Sequence, residues 1–503
     1  MARPAIERIG IIGAGAMGRG IAQLLAQCGC QTLVFDLDPA ASENALASVS
    51  AIWDRLVEKG RLTAPDAKAA RARLSQAGSL ADFSQCDLVI EAIVERLDAK
   101  TTLFAELEGI VAPHAILATN TSSLSVTEIA AACARPGRVA GLHFFNPVPL
   151  MKLVEIVAGE RTEKDVTDAL AALIARTGHR GVRVGDTPGF LVNHAGRAYT
   201  TEALKIMAEG AAVPATIDAI ARHAAGFRMG PFELLDLTGL DVSVPAMETI
   251  HRGFYQEPRL RPVEIGRRRL AAGLLGRKTG EGFYRYSVSG ERLPADIIEE
   301  PAGALPDRVA VAGTGWPAQR LRDWCASFSV DIVDPAPQTL TLVAPVGTDT
   351  STESVRLDTD PAWTIGVDVC FGLDSHRTLA TCPATSPQAA GQALALARKD
   401  GVAASLVRDS AGLVLQRILA LVINLACDIA QQAIARPEDI DTAVRLGLAY
   451  PHGPLEWGDA IGPDIVLEIL NGLVETTGDP RYRPSPWLSR RARLGLSLLR
   501  EEP

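Results

Sequence analysis

The chain has 503 residues, a length that favours roughly three to four domains at about 150 residues each. Hydrophobic residues make up 47% and charged residues 22% of it, which excludes a disordered or fibrous protein. The net charge of −9 favours solubility and gives no general grip on a phosphate backbone, so nucleic acid is not an expected partner.

The N-terminus enters an apolar strand within a few residues, so no secretory signal is expected. The strand, in RIGIIGAGAMGRGIAQLLAQCG, is followed by a glycine turn and an amphipathic helix with Ile21, Leu24, Leu25 and Cys28 on one face. Gly13 permits the tight turn, Gly15 lets backbone approach a pyrophosphate, and Gly18 lets helix and strand pack closely. Ala16 and Met17 complete this turn at the helix N-terminus, where phosphates bind. The next strand, QTLVFD, ends in Asp36. An acid there accepts bonds from ribose hydroxyls and repels a 2′-phosphate, which favours NAD over NADP. A strand before the glycines, a helix after them and an acid closing the next strand together point to dinucleotide binding.

In CDLVIEAIVERLDAK another parallel-sheet strand runs into a helix, and Glu91 and Glu95 close it on the ligand side of such sheets. Either residue could face the cofactor or serve as a loop or cap acid. ILATNTSSLSV opens from a strand into Asn120, Thr121, Ser122 and Ser123, which also suits a helix cap. His143 lies in an apolar strand stopped by Pro147, and Glu155 alternates with Leu153 and Val157 in another. Burying either group alone is costly, whereas a pair offsets the desolvation of both. From spacing, a structural pair and a general base with its acid partner both remain open. After a break at Pro188 and Gly189, Asn193 falls in the first turn of a long expected helix.

Taken in order, GAGAMGRGIAQ, EAIVE, NTSSLS, GLHFFNPVPLMKLVEIV, DTPGFLVN, MGPFELLDLTGLDV and GRKTGEGFYRY make residues 5–286 resemble the L-3-hydroxyacyl-CoA dehydrogenase family. The resemblance implies an N-terminal α/β Rossmann domain, then an all-α domain, with an acyl-CoA substrate between them. It also implies NAD-dependent oxidation of a 3-hydroxyacyl-CoA to the 3-ketoacyl-CoA. By motif, His143 matches the family's catalytic base and Glu155 its partner, while Ser122 and Asn193 match the residues holding the substrate's C3 oxygen and thioester region. Asp36, Glu95, Lys100 and Asn120 match cofactor contacts. Arg55, Lys59 and Arg61, in WDRLVEKGRL, are candidates for the CoA phosphates, or a solvated basic face.

The second half repeats the first. At an offset of 223 residues, Asp186, Gly189, Pro214, Ile217-Asp218, Gly230-Pro231, Glu233, Asp236 and Gly239 recur as Asp409, Gly412, Pro437, Ile440-Asp441, Gly453-Pro454, Glu456, Asp459 and Gly462. Asn193 becomes Gln416, and GRKTGEGFYRY has no second copy. Between the copies, RVAVAGTGWPAQRLRDWC echoes the first βαβ unit with Ala318 in place of the third glycine, and GVDVCF echoes GLHFF with Asp368 in place of His143. The expected organisation is a Rossmann domain (1–185), a helical substrate and dimerisation domain (186–286), a linker (287–306), a shortened degenerate α/β domain without cofactor (307–400) and a second helical copy (401–503).

Length and the second helical domain make the chain most like the bacterial phenylacetate-degradation members, which act on 3-hydroxyadipyl-CoA; 3-hydroxybutyryl-CoA or fatty-acyl substrates are the alternatives. Arg197 and Arg228 are the cations of the helical domain considered for a terminal carboxylate. A non-catalytic NAD-binding protein is the reading from another class, and the retained Ser122, His143, Glu155 and Asn193 oppose it. The second helical copy leaves open a homodimer or a monomer with an internal pseudo-dimer.

The eight cysteines are scattered, with no CxxC pair and no zinc spacing, so no metal is expected and a reducing compartment is. Cys28 and Cys30, flanking Gly29, read as buried thiols. The longest apolar stretch, Ile418 to Cys427, lies between Arg417 and Asp428 and is too short to span a bilayer. A cytoplasmic protein without membrane contact is the expectation.

Overall fold

The computed structural model describes residues 5–294 and 300–502. Residues 295–299 of the expected linker lie outside them, and its first residues form a small turn in which Tyr286 bridges to Arg292. The chain divides into two compact units, Met1–His194 with Gln432–Leu448, and Ala195–Gln431 with Ala449–Pro503.

The first unit is built on eight strands: β1 (Arg8–Ile12), β2 (Gln31–Phe35), β3 (Leu74–Gln76), β4 (Leu88–Glu91), β5 (Ile116–Thr119), β6 (Val139–Phe144), β7 (Leu153–Ala158) and β8 (Arg180–Gly185). Their order is β3-β2-β1-β4-β5-β6-β7-β8, parallel except for the β6–β7 pair. β4, β5 and β6 are buried along their whole length, as expected of strands covered on both faces by helices. Strand order reverses between β1 and β4, which opens the crevice where such sheets take ligands. The glycine turn follows from sterics. A Cβ on Gly18 would lie 1.8 Å from the Gly13 carbonyl oxygen, and one on Gly13, at φ +102°, would lie 2.4 Å from the Ala92 oxygen.

The second unit carries a shorter sheet: β9 (Arg308–Val311), β10 (Asp331–Val333), β11 (Thr341–Val343), β12 (Thr364–Val367), β13 (His376–Thr381) and β14 (Ala403–Val407). Its order, β10-β9-β11-β12-β13-β14, with β12–β13 antiparallel, reproduces the first sheet without counterparts of β3 and β4. The lost β4 is the strand that in the first sheet carries Glu91. The framework bonds persist: Asp186 accepts from Ser125 Oγ and from the Val126 and Thr127 N–H groups, and Asp409 accepts from the Thr350 and Ser351 N–H groups and from Ser351 Oγ.

The helical copies exchange a helix. Pro437–Leu448, from the second copy, lies in the first unit against β7 and β8, where Gly185 donates to the Ile434 carbonyl at 2.8 Å and Arg180 pairs with Asp439 at 3.1 Å. Pro214–Ala225, from the first copy, lies in the second unit against β13, and Arg408 donates to the Ala211 carbonyl at 2.8 Å. The two backbone bonds are related by the same 223-residue offset found in the sequence. Among the described residues no helix is long and apolar enough to cross a membrane.

The place of the site is filled in the degenerate sheet. Gln416 donates to Asp368 Oδ1 and the Pro345 carbonyl, both at 3.0 Å, and accepts from Gly347 N–H at 2.9 Å. Burial pushes the Asp368 carboxyl up to about 6, opposed by the bonds from Gln416 and from Cys370 and Phe371 N–H. Because the ordinary carboxyl titrates near pH 3.9, the native state holds more protons between about pH 4 and 6, and this group's contribution to stability falls as pH rises through that window. Asp368→Asn is therefore expected to gain roughly 2–3 kcal/mol relative to wild type between pH 4 and pH 7. Urea unfolding at the two pH values measures it, and an unchanging difference would contradict it.

Candidate active site

The antiparallel register of β6 and β7 sets His143 directly opposite Glu155. The His143 Nδ1 to Glu155 Oε2 distance is 2.6 Å. Glu155 is completely buried and His143 is 5% exposed, so neither side chain is open to bulk water. The other carboxylate oxygen accepts from Leu191 N–H at 3.0 Å and Val192 N–H at 2.7 Å. These donors are aimed by the turn at Thr187–Phe190, where Gly189 has φ +78° and Phe190 φ +49° and Phe190 N–H closes onto the Thr187 carbonyl. A positive φ at a bulky residue is a local strain held by its surroundings. The ring of Phe145 lies 4.5 Å from the imidazole and that of Phe190 5.8 Å. With Nδ1–H committed to the carboxylate, Nε2 is left as the basic nitrogen, an assignment made from the bonding pattern. A protonated imidazole beside this carboxylate is stabilised, which suits a proton acceptor.

Ser122 is exposed on the loop after β5, and Glu95 organises that loop. One Glu95 oxygen accepts from Thr121 Oγ1 at 2.7 Å and from Ser122 and Ser123 N–H at 2.9 and 3.0 Å. Partial burial raises the Glu95 carboxyl, but Thr121, Lys100 and the Ser122 N–H outweigh this and hold it below its ordinary value. Lys100, 1% exposed, bonds Glu91 Oε1 at 2.6 Å and lies 3.3 Å from Glu95 Oε2. Glu91 also accepts from Thr119 Oγ1 at 2.7 Å and Ile93 N–H at 2.7 Å. Lys100 therefore sits beneath the site as a buried counter-charge, and Glu91 is spent on it. Asn120 ties β5 to β6 by accepting from Phe144 N–H at 2.9 Å. Asn193 follows Val192 in the short helix Val192–Ala195, one residue from the donor that seats Glu155.

The glycine turn fits a dinucleotide. Gly15 precedes the helix Ala16–Gln27, and a Cβ there would meet nothing within 4 Å, so the turn offers an open cradle with the first-turn N–H groups of Ala16 and Met17 beside it. Asp36 accepts from Ala14 N–H at 2.8 Å and Asp38 N–H at 3.1 Å, which fixes its carboxylate at the end of β2. Arg55, Lys59 and Arg61 are exposed at the end of the helix Pro39–Glu58. Arg197 opens the helix Arg197–Ala208 of the second unit, and Arg228 is exposed in that unit. Sequence reasoning missed the two backbone donors at Leu191 and Val192 and the tether role of Asp186. Backbone donors leave no side-chain signature, although the strained DTPGF turn marks where they come from.

Residues 8–187 match the family description "3-hydroxyacyl-CoA dehydrogenase, NAD binding domain", and residues 189–286 and again 412–498 match "3-hydroxyacyl-CoA dehydrogenase, C-terminal domain". The chain belongs to the 3-hydroxyacyl-CoA dehydrogenase family. It is an NAD-dependent oxidoreductase, and its C-terminal domain is present twice. A 3-hydroxyadipyl-CoA dehydrogenase of Escherichia coli K12 is 35% identical over 489 residues, covering 97% of this chain and 98% of that protein. A crystal structure of 3-hydroxybutyryl-CoA dehydrogenase from Escherichia coli K12 superposes with a TM-score of 0.86 at 34% identity, covering 98% and 99% of the two chains. The (S)-3-hydroxybutyryl-CoA dehydrogenase of Ralstonia eutropha, 40% identical with a TM-score of 0.54, covers 56% of this chain with all of its own length.

Proposed function

We propose that this dehydrogenase oxidises 3-hydroxyadipyl-CoA to the 3-ketoacyl-CoA, with His143 as general base. The observation that carries the reaction is the buried His143–Glu155 pair with its carboxylate seated on two backbone N–H groups. Bound NAD supplies the hydride acceptor, with Gly13, Gly15, Ala16, Met17, Gly18 and Asp36 as the residues that would hold it. His143 Nε2 takes the proton of the C3 hydroxyl as the C3 hydrogen departs. Glu155 keeps the ring in one tautomer and stabilises the imidazolium. Ser122, on the loop tethered by Glu95, and Asn193 hold the C3 oxygen and thioester region, which is positioning work. Arg55, Lys59 and Arg61 would meet the CoA phosphates.

The adipyl chain rests on the full-length likeness to the 3-hydroxyadipyl-CoA dehydrogenase, which also supports a place in cytoplasmic phenylacetate breakdown. The equally long solved relative named for 3-hydroxybutyryl-CoA favours a short-chain substrate as the second reading. The packing of the helix Arg197–Ala208 along Leu415–Gln431 within the second unit supports a monomer whose helical copies pair internally.

NADH formation from 3-hydroxyadipyl-, 3-hydroxyhexanoyl- and 3-hydroxybutyryl-CoA tests the acyl assignment. The adipyl substrate is expected to exceed the hexanoyl one, of equal length without the carboxylate, by about tenfold or more in kcat/KM. Equal values for these two, or a maximum at butyryl, would overturn it.

A further inference from the structure

The cofactor helix ends in a pair of thiols that the dehydrogenase chemistry does not use. Cys28 caps the helix Ala16–Gln27, Gly29 reverses the chain at φ +103°, and Cys30 leads into β2. The two sulfurs are 3.7 Å apart and hydrogen-bonded. Their surroundings differ: Cys28 is half-buried and Cys30 wholly buried. The Arg176 guanidinium donates to Cys30 Sγ at 3.6 Å and to the Ile6 carbonyl at 2.8 Å, placing a fixed positive charge beside the pair.

We propose that Cys28 and Cys30 are a redox-active dithiol that closes to an intramolecular disulfide by exchange with a low-molecular-weight disulfide, Cys28 attacking and Cys30 resolving. The accessible thiol is the one whose ionisation is favoured. The bond from Cys30, opposed by burial and helped by Arg176, brings Cys28 down to about 7, whereas the bond to Cys28 and burial push Cys30 up. A thiol ionised near neutral pH and next to a second thiol is the arrangement that reacts with disulfides and then resolves. Burial pushes Cys86 and Cys133 each up to about 11 and Cys325 up to about 12, so these stay thiols under the same conditions.

The exchange balances. The Cys28 thiolate attacks one sulfur of the external disulfide, forming a mixed disulfide and expelling one external thiolate. Cys30 gives up its proton to that thiolate and attacks Cys28 Sγ, expelling the second. Two protein thiols are oxidised, and the external disulfide is reduced to two thiols. The closed bond ties the end of the helix that follows Gly15 to the strand that ends beside Asp36.

The test exposes the full chain and the variants Cys30→Ser and Cys28→Ser to glutathione disulfide, followed by intact mass and cysteine mapping after alkylation. The native chain is expected to lose the mass of two hydrogens, with a Cys28–Cys30 link and the other cysteines still alkylatable. Cys30→Ser should retain glutathione on Cys28, and Cys28→Ser should leave Cys30 unmodified. The native rate should rise through about pH 7, below the range of an unperturbed thiol near 8.5. A native chain that stays reduced, one that keeps glutathione on Cys28 beside a free Cys30, or a Cys28→Ser variant whose Cys30 reacts at the native rate would each overturn the proposal.

Discussion

Replacing His143 by glutamine is expected to lower kcat by about 10²–10⁴-fold, the usual worth of a positioned general base, while NAD binds with nearly unchanged affinity. Glutamine can still donate to Glu155, so the buried carboxylate keeps a partner and its bonds from Leu191 and Val192. The substitution thereby removes the basic nitrogen and leaves the seat. The glycine turn and Asp36, which would bind NAD, are formed by β1, β2 and the helix between them and do not depend on the imidazole. A matching loss in NAD affinity, read by NADH fluorescence titration, would place His143 in cofactor binding instead of proton transfer.

The largest effect on stability is expected at Arg417. Its guanidinium is buried in the second unit, bonding Glu202 at 2.8 Å, Glu209 at 2.6 Å, Ser410 at 2.7 Å and Tyr482 at 2.9 Å. Glu202 is completely buried and also accepts from Tyr482 at 2.7 Å. Arg417→Met leaves that carboxylate without its main counter-charge and is expected to cost about 3–5 kcal/mol. Adding Glu202→Gln should return only part of the loss, because it removes the carboxylate left short of charge but also takes from the buried Arg481 its ion-pair partner at 3.6 Å. Urea unfolding of the two variants measures this. A single variant within about 1 kcal/mol of wild type would contradict it. At the 223-residue offset Arg417 stands where the first copy has His194, and Glu202 where the second has Leu425. The network joining the two copies is thus one-sided, which two halves of a single chain allow and a two-fold interface between identical subunits, repeating every contact, does not.

The parts of this molecule that were legible in its sequence are those set by short-range rules. The glycine turn, its strand and helix, and Asp36 follow from sterics and spacing within some thirty residues of chain, and the repeat of Asp186, Pro214 and Gly230 at one offset announces the second helical copy. The His143–Glu155 contact needed more. Spacing left it open, because only the reversal of β7 against β6 sets the two residues opposite each other. Lys100 and Glu95 match cofactor contacts through family resemblance, but the sequence does not show that Lys100 also pairs with Glu91 or that Glu95 also ties down the serine loop. These contacts depend on burial, which no local pattern encodes. The exchange of Pro437–Leu448 and Pro214–Ala225 between sheets was invisible for a related reason: helix periodicity shows that a face is buried but not against which partner.

Single-turnover NADH formation, with NAD and a 3-hydroxyacyl-CoA both saturating, isolates the chemical step from binding and release. The native chain is expected to complete one turnover rapidly, and His143→Gln to bind both ligands yet form NADH at least about 100-fold more slowly. NADH appearing at the native rate in the variant, with both ligands bound, would contradict the role given to the imidazole.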